Sequence, residues 1–307
     1  MDYKKIKKLT DIAKLYYEQE KTQNEIAKMY GISRPLVSRM LKEAKDFGIV
    51  DIKICSPFQQ KNFILEQLRI DFPIQEISIV SSGEDDNITN KRLAQEAIKC
   101  IQSKKGTCFG IGWGTIIGEM ASILEKRESK KGMLQSICPL VGNSGVSNRN
   151  YHSNENIRIL SQQMQIQPYY LYTPAFAETR QEMELIKQLE NYKAVYKKWN
   201  EMDVALVNIG NYPSVPDFAS SARYGQLLAK NQAVGRILAY YYDLYGNIMK
   251  SDTDYAIQIP IEILKKCGVV IGVCSSNVNK KALKGALHTG MIHHVIAKEE
   301  LFQKILE

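Results

Sequence analysis

Residues 22–44 read TQNEIAKMYGISRPLVSRMLKEA, and they predict two helices joined by a tight turn. Thr22 has the hydroxyl of a helix N-cap, and Glu25, three residues later, completes a capping box. Gly31 suits the left-handed residue that ends a helix. Pro35 falls in the first turn of the following helix, where its missing amide donor costs nothing. The stretch therefore predicts a helix-turn-helix.

The helix that follows Ser33 has two different faces. Apolar residues at positions i, i+3, i+4 and i+7 predict a buried stripe: Val37, Met40, Leu41 and Ala44. The opposite face is polar and basic, and such a face fits the major groove of DNA, where arginine pairs with guanine. The alternative is a three-helix bundle with a solvated basic face. The predicted DNA-contacting residues are Thr22, Gln23, Ser33, Arg34, Pro35, Ser38, Arg39 and Lys42.

The flanks of the helix-turn-helix agree with this prediction. Ile12, Ala13, Leu15 and Tyr16 indicate an amphipathic helix before it, and Ile49–Ile54 alternates like a strand after it, which is typical of a wing. Residues 1–55 hold twelve Lys and Arg against eight Asp and Glu. Because neutralised phosphates release counterions, this concentration of positive charge favours a polyanion-binding segment.

The composition is that of an ordinary globular protein. The chain has 307 residues, 44% of them hydrophobic and 24% charged, so we expect about two domains. No apolar run approaches the roughly 20 residues needed to cross a bilayer, and we expect a cytoplasmic protein. Six cysteines stand far apart without a C-x-x-C pair, and four histidines offer no metal-ligand spacing. We therefore predict neither a metal site nor a cofactor.

Beyond a boundary near residue 57, short β-rich runs alternate with helical stretches. This alternation predicts an α/β domain with parallel strands, whose ligands bind at the carboxyl ends of the strands. The predicted strands include Thr107–Ile111, Ser136–Val141, Tyr169–Tyr172, Val204–Ile209 and Val269–Val273.

One long helix is predicted over Arg180–Trp199. It carries an apolar stripe that we expect to face the domain core, with a subunit contact as the alternative: Leu185, Leu189, Tyr192, Tyr196 and Trp199.

The glycine-rich segment Gly110-Ile-Gly-Trp-Gly-Thr115 follows the first of these strands after the boundary and opens a helix. Glycine lets the backbone approach an anion, and the free amides at a helix start attract negative charge. The segment is therefore a candidate phosphate cradle, with a structural glycine turn as the alternative. Because Ile116 and Ile117 precede Gly118, the spacing does not match a dinucleotide-binding loop.

Five motifs together resemble the SorC family of sugar-responsive bacterial transcription regulators: Gln23-Asn-Glu-Ile-Ala27, Tyr30-Gly-Ile-Ser-Arg-Pro35, Val37-Ser-Arg39, Leu41-Lys-Glu-Ala44 and Gly48-Ile-Val50. The resemblance spans nearly the whole chain. It implies a winged helix-turn-helix DNA-binding domain in residues 1–56. It also implies a sugar-phosphate-sensing effector and oligomerisation domain in residues 57–307, of the α/β sugar-phosphate isomerase and CoA-transferase-like type.

The same resemblance implies a set of effector-binding residues. Gly112 to Thr115 correspond to the family's phosphate-binding loop, and Lys281 stands where the family places a lysine on the ligand phosphate, although Lys280 is its alternative. The full set is Gly112, Trp113, Gly114, Thr115, Gly142, Asn143, Gly210, Arg236 and Lys281.

The chain departs from the family pattern at three places. Ile116 replaces a second threonine, Ser275-Ser276 replaces a double glycine, and Arg236 replaces an acid that accepts sugar hydroxyls. A guanidinium only donates hydrogen bonds, whereas a carboxylate only accepts them. If Arg236 faces the pocket, we expect the ligand to carry extra negative charge there.

These observations predict a DNA-binding transcription regulator controlled by a phosphorylated sugar. One recognition helix reads only a few base pairs, so we expect a homodimer or homotetramer on a two-fold symmetric operator. The alternative is a sugar-phosphate isomerase or deaminase with a nucleic-acid-binding module. Isomerisation needs a positioned general base, and the Gly112–Thr115 loop contains no carboxylate. We therefore predict that the protein is not an enzyme.

Overall fold

The computed structural model of the protein describes residues 3–50, 57–214 and 216–307. Contacts divide the chain into two compact units, Met1–Pro57 and Phe58–Glu307. Most of the predicted wing strand, residues 51–54, lies outside the described residues.

The N-terminal unit contains three helices: α1 (Tyr3–Tyr17), α2 (Gln23–Tyr30) and α3 (Arg34–Asp46). Their apolar faces meet in one core, to which α1 contributes Leu9 and Ile12 and α2 contributes Ile26. The predicted stripe on α3 is confirmed, because all four of its residues are buried. The amphipathic helix predicted from Ile12, Ala13, Leu15 and Tyr16 is present as α1, which contains all four residues.

The predicted ends of α2 are confirmed in atomic detail. The Glu25 amide donates to the Thr22 hydroxyl at 3.3 Å, and the Thr22 amide donates to the Glu25 carboxylate at 2.8 Å. Gly31 ends the helix with φ +61°, a conformation that glycine adopts without steric cost. These two caps fix the angle at which the chain enters α3.

Replacing Thr22 by alanine is expected to destabilise α2 by about 1 kcal/mol, because the Glu25 amide loses its capping partner. The Thr22 amide and hydroxyl hold the pKa of Glu25 below its usual value. The capping contribution is therefore complete at neutral pH and is lost as the pH falls through the folded-state pKa. Amide hydrogen exchange of α2 across this pH range measures both effects, and Thr22→Ser is the control that keeps the hydroxyl. An equal effect of serine and alanine would contradict the capping role.

The C-terminal unit alternates helices with strands. Its helices of at least eight residues are α4 (Pro57–Asp71), α5 (Asp86–Gln102), α6 (Thr115–Leu124), α7 (Ser153–Met164), α8 (Arg180–Gln188), α9 (Glu190–Asn200), α13 (Lys280–His288) and α14 (Glu299–Leu306). The shorter ones are α10 (Ser220–Tyr224), α11 (Leu227–Lys230) and α12 (Ile261–Lys266). The strands are β1 (Glu76–Val80), β2 (Lys105–Ile111), β3 (Met133–Pro139), β4 (Gln167–Pro168), β5 (Met202–Asn211), β6 (Gly235–Ile237), β7 (Tyr240–Tyr242), β8 (Val269–Cys274) and β9 (His294–Lys298).

Seven of these strands form a parallel sheet in the order β1-β9-β8-β5-β2-β3-β4. The hairpin of β6 and β7 is antiparallel and pairs with the end of β5. Successive side chains of β5 enter different cores: Val204 and Leu206 pack into one, and Ala205 and Val207 into the other. The sheet is thus covered on both faces, and the predicted α/β class with parallel strands is confirmed.

The prediction of one helix over Arg180–Trp199 is wrong. Leu189 has an extended backbone with φ −61° and ψ 138°, so α8 ends before it and α9 begins after it. The break shifts the phase of the apolar stripe. As a result Tyr192 and Trp199 are buried, whereas the exposed fractions of Leu185, Leu189 and Tyr196 are 58%, 49% and 40%.

The predicted strand Tyr169–Tyr172 is also wrong, since β4 (Gln167–Pro168) ends before Tyr169. Two asparagine side chains take the backbone groups that a strand would offer to its neighbour. Asn154 accepts from the Leu171 amide at 3.0 Å, and Asn191 accepts from the Tyr172 amide at 2.8 Å. Side-chain competition of this kind diverts a β-rich run from the sheet.

A membrane-crossing helix would need a long apolar run, and no helix in the described ranges has one.

Candidate functional site

The first candidate site is the outer face of α3. Arg34, Pro35, Ser38, Arg39 and Lys42 are all exposed, and they lie opposite the buried stripe of the same helix. None of the three cations among them forms an ion pair within the described residues. A rigid helix therefore presents an unpaired cationic surface, which is what contact with phosphates and guanine edges requires.

The three remaining predicted DNA contacts have different environments. The Thr22 hydroxyl is already engaged, since it accepts from the Glu25 amide and donates to the Glu25 carboxylate at 2.8 Å. Ser33 is exposed, and its side chain makes no capping hydrogen bond. Gln23 is half-buried at the start of α2. Ser33 is thus free to contact a phosphate, whereas Thr22 positions α2.

The second candidate site lies at the carboxyl edge of the sheet, where β2 and β3 end side by side and β5 extends beyond them. After β2, the Gly112 amide donates to the Leu206 carbonyl at 2.9 Å. Gly114 has φ +131°, and a Cβ there would lie 2.9 Å from Asn208, so the turn needs glycine. Helix α6 then begins at Thr115. The first amides of a helix have no intrahelical acceptor, and they favour an anion.

Three aromatic rings close over this turn. Trp113 stacks on Phe218 with ring centroids 5.1 Å apart, and Tyr151 lies 5.3 Å from Phe218. All three side chains are at most 4% exposed. They form what we call the aromatic cluster: Trp113, Tyr151 and Phe218.

Arg236 lies directly beside the aromatic cluster. It faces Gly210 across the β5–β6 ladder, and a Cβ at Gly210 would lie 3.3 Å from its guanidinium carbon. That carbon lies 4.2 Å from the centroid of the Phe218 ring. Burial lowers the pKa of Arg236 below its usual value. The close approach explains why residue 210 is small, and it fixes the guanidinium at the end of β5.

Gly142 and Asn143, beside this site, are hydrogen-bonded to neighbouring segments of the chain. The Gly142 amide donates to the Ile257 carbonyl at 2.9 Å. The Asn143 side chain donates to the Leu171 carbonyl at 3.2 Å and accepts from the Asn154 amide at 3.1 Å. Because these groups are already paired, the two residues hold the end of β3 against the start of α7 and offer little to a ligand.

Lys281 lies in a different place from the glycine turn. It is exposed near the start of α13 and lines a cavity of about 490 Å³ together with Tyr212, Asn279 and the 231–234 segment. None of Gly112, Trp113, Gly114 and Thr115 lines that cavity. Lys280 beside it is half-buried. Of the nine predicted effector contacts, Gly112 to Thr115, Gly210 and Arg236 thus lie at this edge of the sheet, whereas Lys281 lines the cavity beside Tyr212 and Asn279.

The structure adds four residues that the sequence prediction did not include in the site. Phe218 lies in a loop, and Tyr151 ends a short 3-10 helix (Arg149–Tyr151); both are distant in sequence from the glycine turn. Asn208 and Thr173 are at most 5% exposed. Within the described residues, several buried side-chain atoms at this edge have no hydrogen-bond partner: Trp113 Nε1, Thr173 Oγ1, Asn208 Oδ1 and Arg236 Nε. Buried polar groups are normally paired, so these four atoms distinguish this edge of the sheet.

The chain matches two family models. Residues 56–307 match the family described as "Putative sugar-binding domain", and residues 10–46 match "Sigma-70, region 4". The first match covers most of the chain, and the second covers all of α2 and α3.

The chain is also similar to known proteins along its full length. It is 27% identical to the sorbitol operon regulator of Klebsiella pneumoniae, over 98% of each chain. It is 28% identical to the deoxyribonucleoside regulator of Bacillus subtilis, over 96% of each chain. Both relatives are regulators, which contradicts the enzyme alternative.

The crystal structure of the full-length sorbitol operon regulator SorC from Klebsiella pneumoniae has the same fold. It matches with a TM-score of 0.72 and 23% identity, over 98% of this chain and 99% of that one. Together with the family matches, this shows that a helix-turn-helix is followed along the chain by a sugar-binding domain, which covers residues 56–307. The chain therefore belongs to the SorC family of effector-controlled, DNA-binding transcriptional regulators.

Proposed function

We propose that the protein binds a two-fold symmetric operator through α3 and that a phosphorylated sugar at the carboxyl edge of the sheet controls this binding. The observation that carries the proposal is the group of unpaired buried polar atoms beside the glycine turn, in a chain whose other unit exposes an unpaired basic helix. A regulator needs both a reading surface and a sensing site.

The geometry of α3 supports DNA contact by its N-terminal half. Arg34, Ser38 and Arg39 stand on the exposed side, and the buried stripe anchors the helix rigidly behind them. Residues near the start of a recognition helix reach base edges in the major groove. We assign base reading to Arg39 and phosphate contact to Arg34, Ser33 and Lys42.

The site at the carboxyl edge supports a phosphorylated ligand. The start of α6 offers unpaired amides, and within the described residues the half-buried Thr115 hydroxyl has no hydrogen-bond partner. Trp113 Nε1 donates and Asn208 Oδ1 accepts, so together they match the hydroxyl groups of a sugar. The phosphate binds at the start of α6, and the sugar lies between the aromatic cluster and Asn208. Lys281 would approach the ligand from the cavity that it lines with Tyr212 and Asn279.

The proposed assembly is a homodimer or homotetramer. A single recognition helix reads only a few base pairs. A symmetric oligomer presents two such helices, which contact two half-sites about one helical turn apart on the same face of the DNA. Leu185, Leu189 and Tyr196 each expose an apolar side chain on the C-terminal unit, which supports a contact between copies there.

The proposal predicts that the purified chain binds promoter fragments from its own genome with a strong salt dependence. It also predicts that at least one sugar phosphate shifts the apparent affinity by about 5- to 150-fold, the usual range of coupling between two sites. Fluorescence anisotropy of labelled fragments at several salt concentrations, with and without a panel of sugar phosphates, measures both. Sedimentation of the complex gives the number of chains bound.

A control fragment of scrambled sequence should bind far more weakly at the same salt concentration. Equal binding to the scrambled fragment would contradict sequence-specific regulation. Specific binding that no phosphorylated sugar alters would contradict the proposed effector and leave the DNA-binding assignment standing.

A further inference from the structure

Among the described residues of the C-terminal unit, two arginines are buried, Arg223 and Arg236, and only Arg223 has a counter-charge. Arg223 is 3% exposed and Arg236 is 4% exposed, and each guanidinium lies over an aromatic ring, Phe176 at 4.4 Å and Phe218 at 4.2 Å. Arg223 forms an ion pair with Asp254 at 2.8 Å. For Arg236, no carboxylate lies within 4 Å in the described parts of the chain.

The hydrogen bonds of the two residues differ in the same way. Arg223 also donates to the carbonyls of Phe218 at 3.3 Å and Ala239 at 2.8 Å. Arg236 donates through Nη1 to the Leu238 carbonyl at 3.1 Å, and the neutral side chain of Tyr151 interacts with its guanidinium. Its Nε has no partner within the described residues, and neither of these contacts supplies a negative charge. A buried charge without a partner is destabilising, and proteins normally pair or replace it. Burying the Arg236 charge without a counter-charge therefore lowers the stability of the fold, and the packing around it does not account for this.

We propose that the effector carries a second oxyanion in addition to its phosphate, and that this group pairs with Arg236. This inference rests on the proposed function and specifies its ligand. The second oxyanion is a carboxylate, as in a phosphorylated sugar acid, or a second phosphate, as in a sugar bisphosphate. Both offer acceptor oxygens to the free Nε–H, and a charge-assisted pair of this kind is strong in a site closed to water.

The position of Arg236 also indicates how the ligand lies. The glycine turn before α6 and Arg236 on β6 both lie against the last residues of β5. A Cβ at Gly114 would lie 2.9 Å from Asn208, and a Cβ at Gly210 would lie 3.3 Å from the Arg236 guanidinium carbon. A ligand with an anionic group at each end would thus span the end of β5. Phe218 lies between Arg236 and Trp113, so the ligand must displace this ring to reach the guanidinium.

The test uses the full chain and matched sets of probes. Each set contains an aldose monophosphate whose sugar carries no further charge (the neutral-sugar probe, called the neutral partner below), and two doubly anionic probes, the corresponding phosphorylated sugar acid and the corresponding bisphosphate. Affinities are measured for the natural chain and for Arg236→Gln by titration, with Trp113 fluorescence and DNA anisotropy as readouts. The natural chain should bind a doubly anionic probe about 10- to 150-fold more tightly than its neutral partner, and Arg236→Gln should lose that preference. The sugar acid and bisphosphate arms distinguish the two sources of the oxyanion.

The melting temperature of the unliganded chain separates a ligand contact from a structural role. Arg236→Gln should melt at or above the natural temperature because it removes an unpaired buried charge. Arg223→Gln is the matched control and should melt well below it, because Asp254 loses its partner. A decrease for Arg236→Gln as large as that for Arg223→Gln would overturn the inference.

Two binding results would also overturn the inference about the second oxyanion, and only the second of them would count against the proposed effector as well. Equal affinity for neutral and doubly anionic probes, unchanged in Arg236→Gln, would overturn the second oxyanion and leave a sugar phosphate as the effector. No response to any probe in either chain would count against the proposed effector and against this inference with it.

Discussion

Replacing Asp254 by alanine is expected to lower the free energy of unfolding of the C-terminal unit by about 3–5 kcal/mol. Asp254 accepts from the Arg223 guanidinium at 2.8 Å and from the Tyr224 hydroxyl at 2.6 Å. Its removal leaves a nearly fully buried guanidinium without a counter-charge. Most single substitutions lower the free energy of unfolding by about 0.5 to 3 kcal/mol, so this loss would be unusually large.

The measurement is a denaturant titration followed by tryptophan fluorescence. Both tryptophans of the chain, Trp113 and Trp199, belong to the C-terminal unit, so the signal reports its unfolding. Asp252→Ala is the matched control, since this residue is exposed in the same loop. A loss below 1 kcal/mol for Asp254→Ala would show that water compensates Arg223 and that the ion pair contributes little.

The double substitution Arg34→Ala and Arg39→Ala is expected to weaken operator binding by about 2–6 kcal/mol, the sum of two contacts of about 1–3 kcal/mol each. Both side chains are exposed on α3, Arg34 at its start and Arg39 near its middle, so their removal leaves the buried stripe and the fold of the unit unchanged. Anisotropy titrations at several salt concentrations measure the loss.

The two single variants separate base reading from phosphate contact. Arg39→Ala should relax specificity at one base position, whereas Arg34→Ala should weaken all sequences alike and reduce the salt slope by about one. Lys14→Ala on α1 removes an exposed cation outside the predicted face and is the control. A loss for Lys14→Ala equal to that of the arginine variants would mean that binding follows net charge and does not involve a particular face.

Much of the N-terminal unit could be predicted because its signals are local. The Thr22 capping box, the Gly31 turn and the spacing of the α3 stripe each depend on residues within a few positions, and the structure confirms them. Periodicity was less reliable in the second unit. At Leu189 an extended backbone interrupts a regular pattern, and after Pro168 asparagine side chains compete with the sheet.

The sequence by itself determined the helix-turn-helix, the α/β class and the glycine turn after β2, because hydrophobic spacing, capping residues and glycine act over one or two turns of chain. Only the tertiary structure brought Phe218 and Tyr151 over Trp113 and left Arg236 buried without a counter-charge. Those contacts join residues tens of positions apart through strand order and loop packing. No local pattern records such proximity, and the chemical character of the site depends on it.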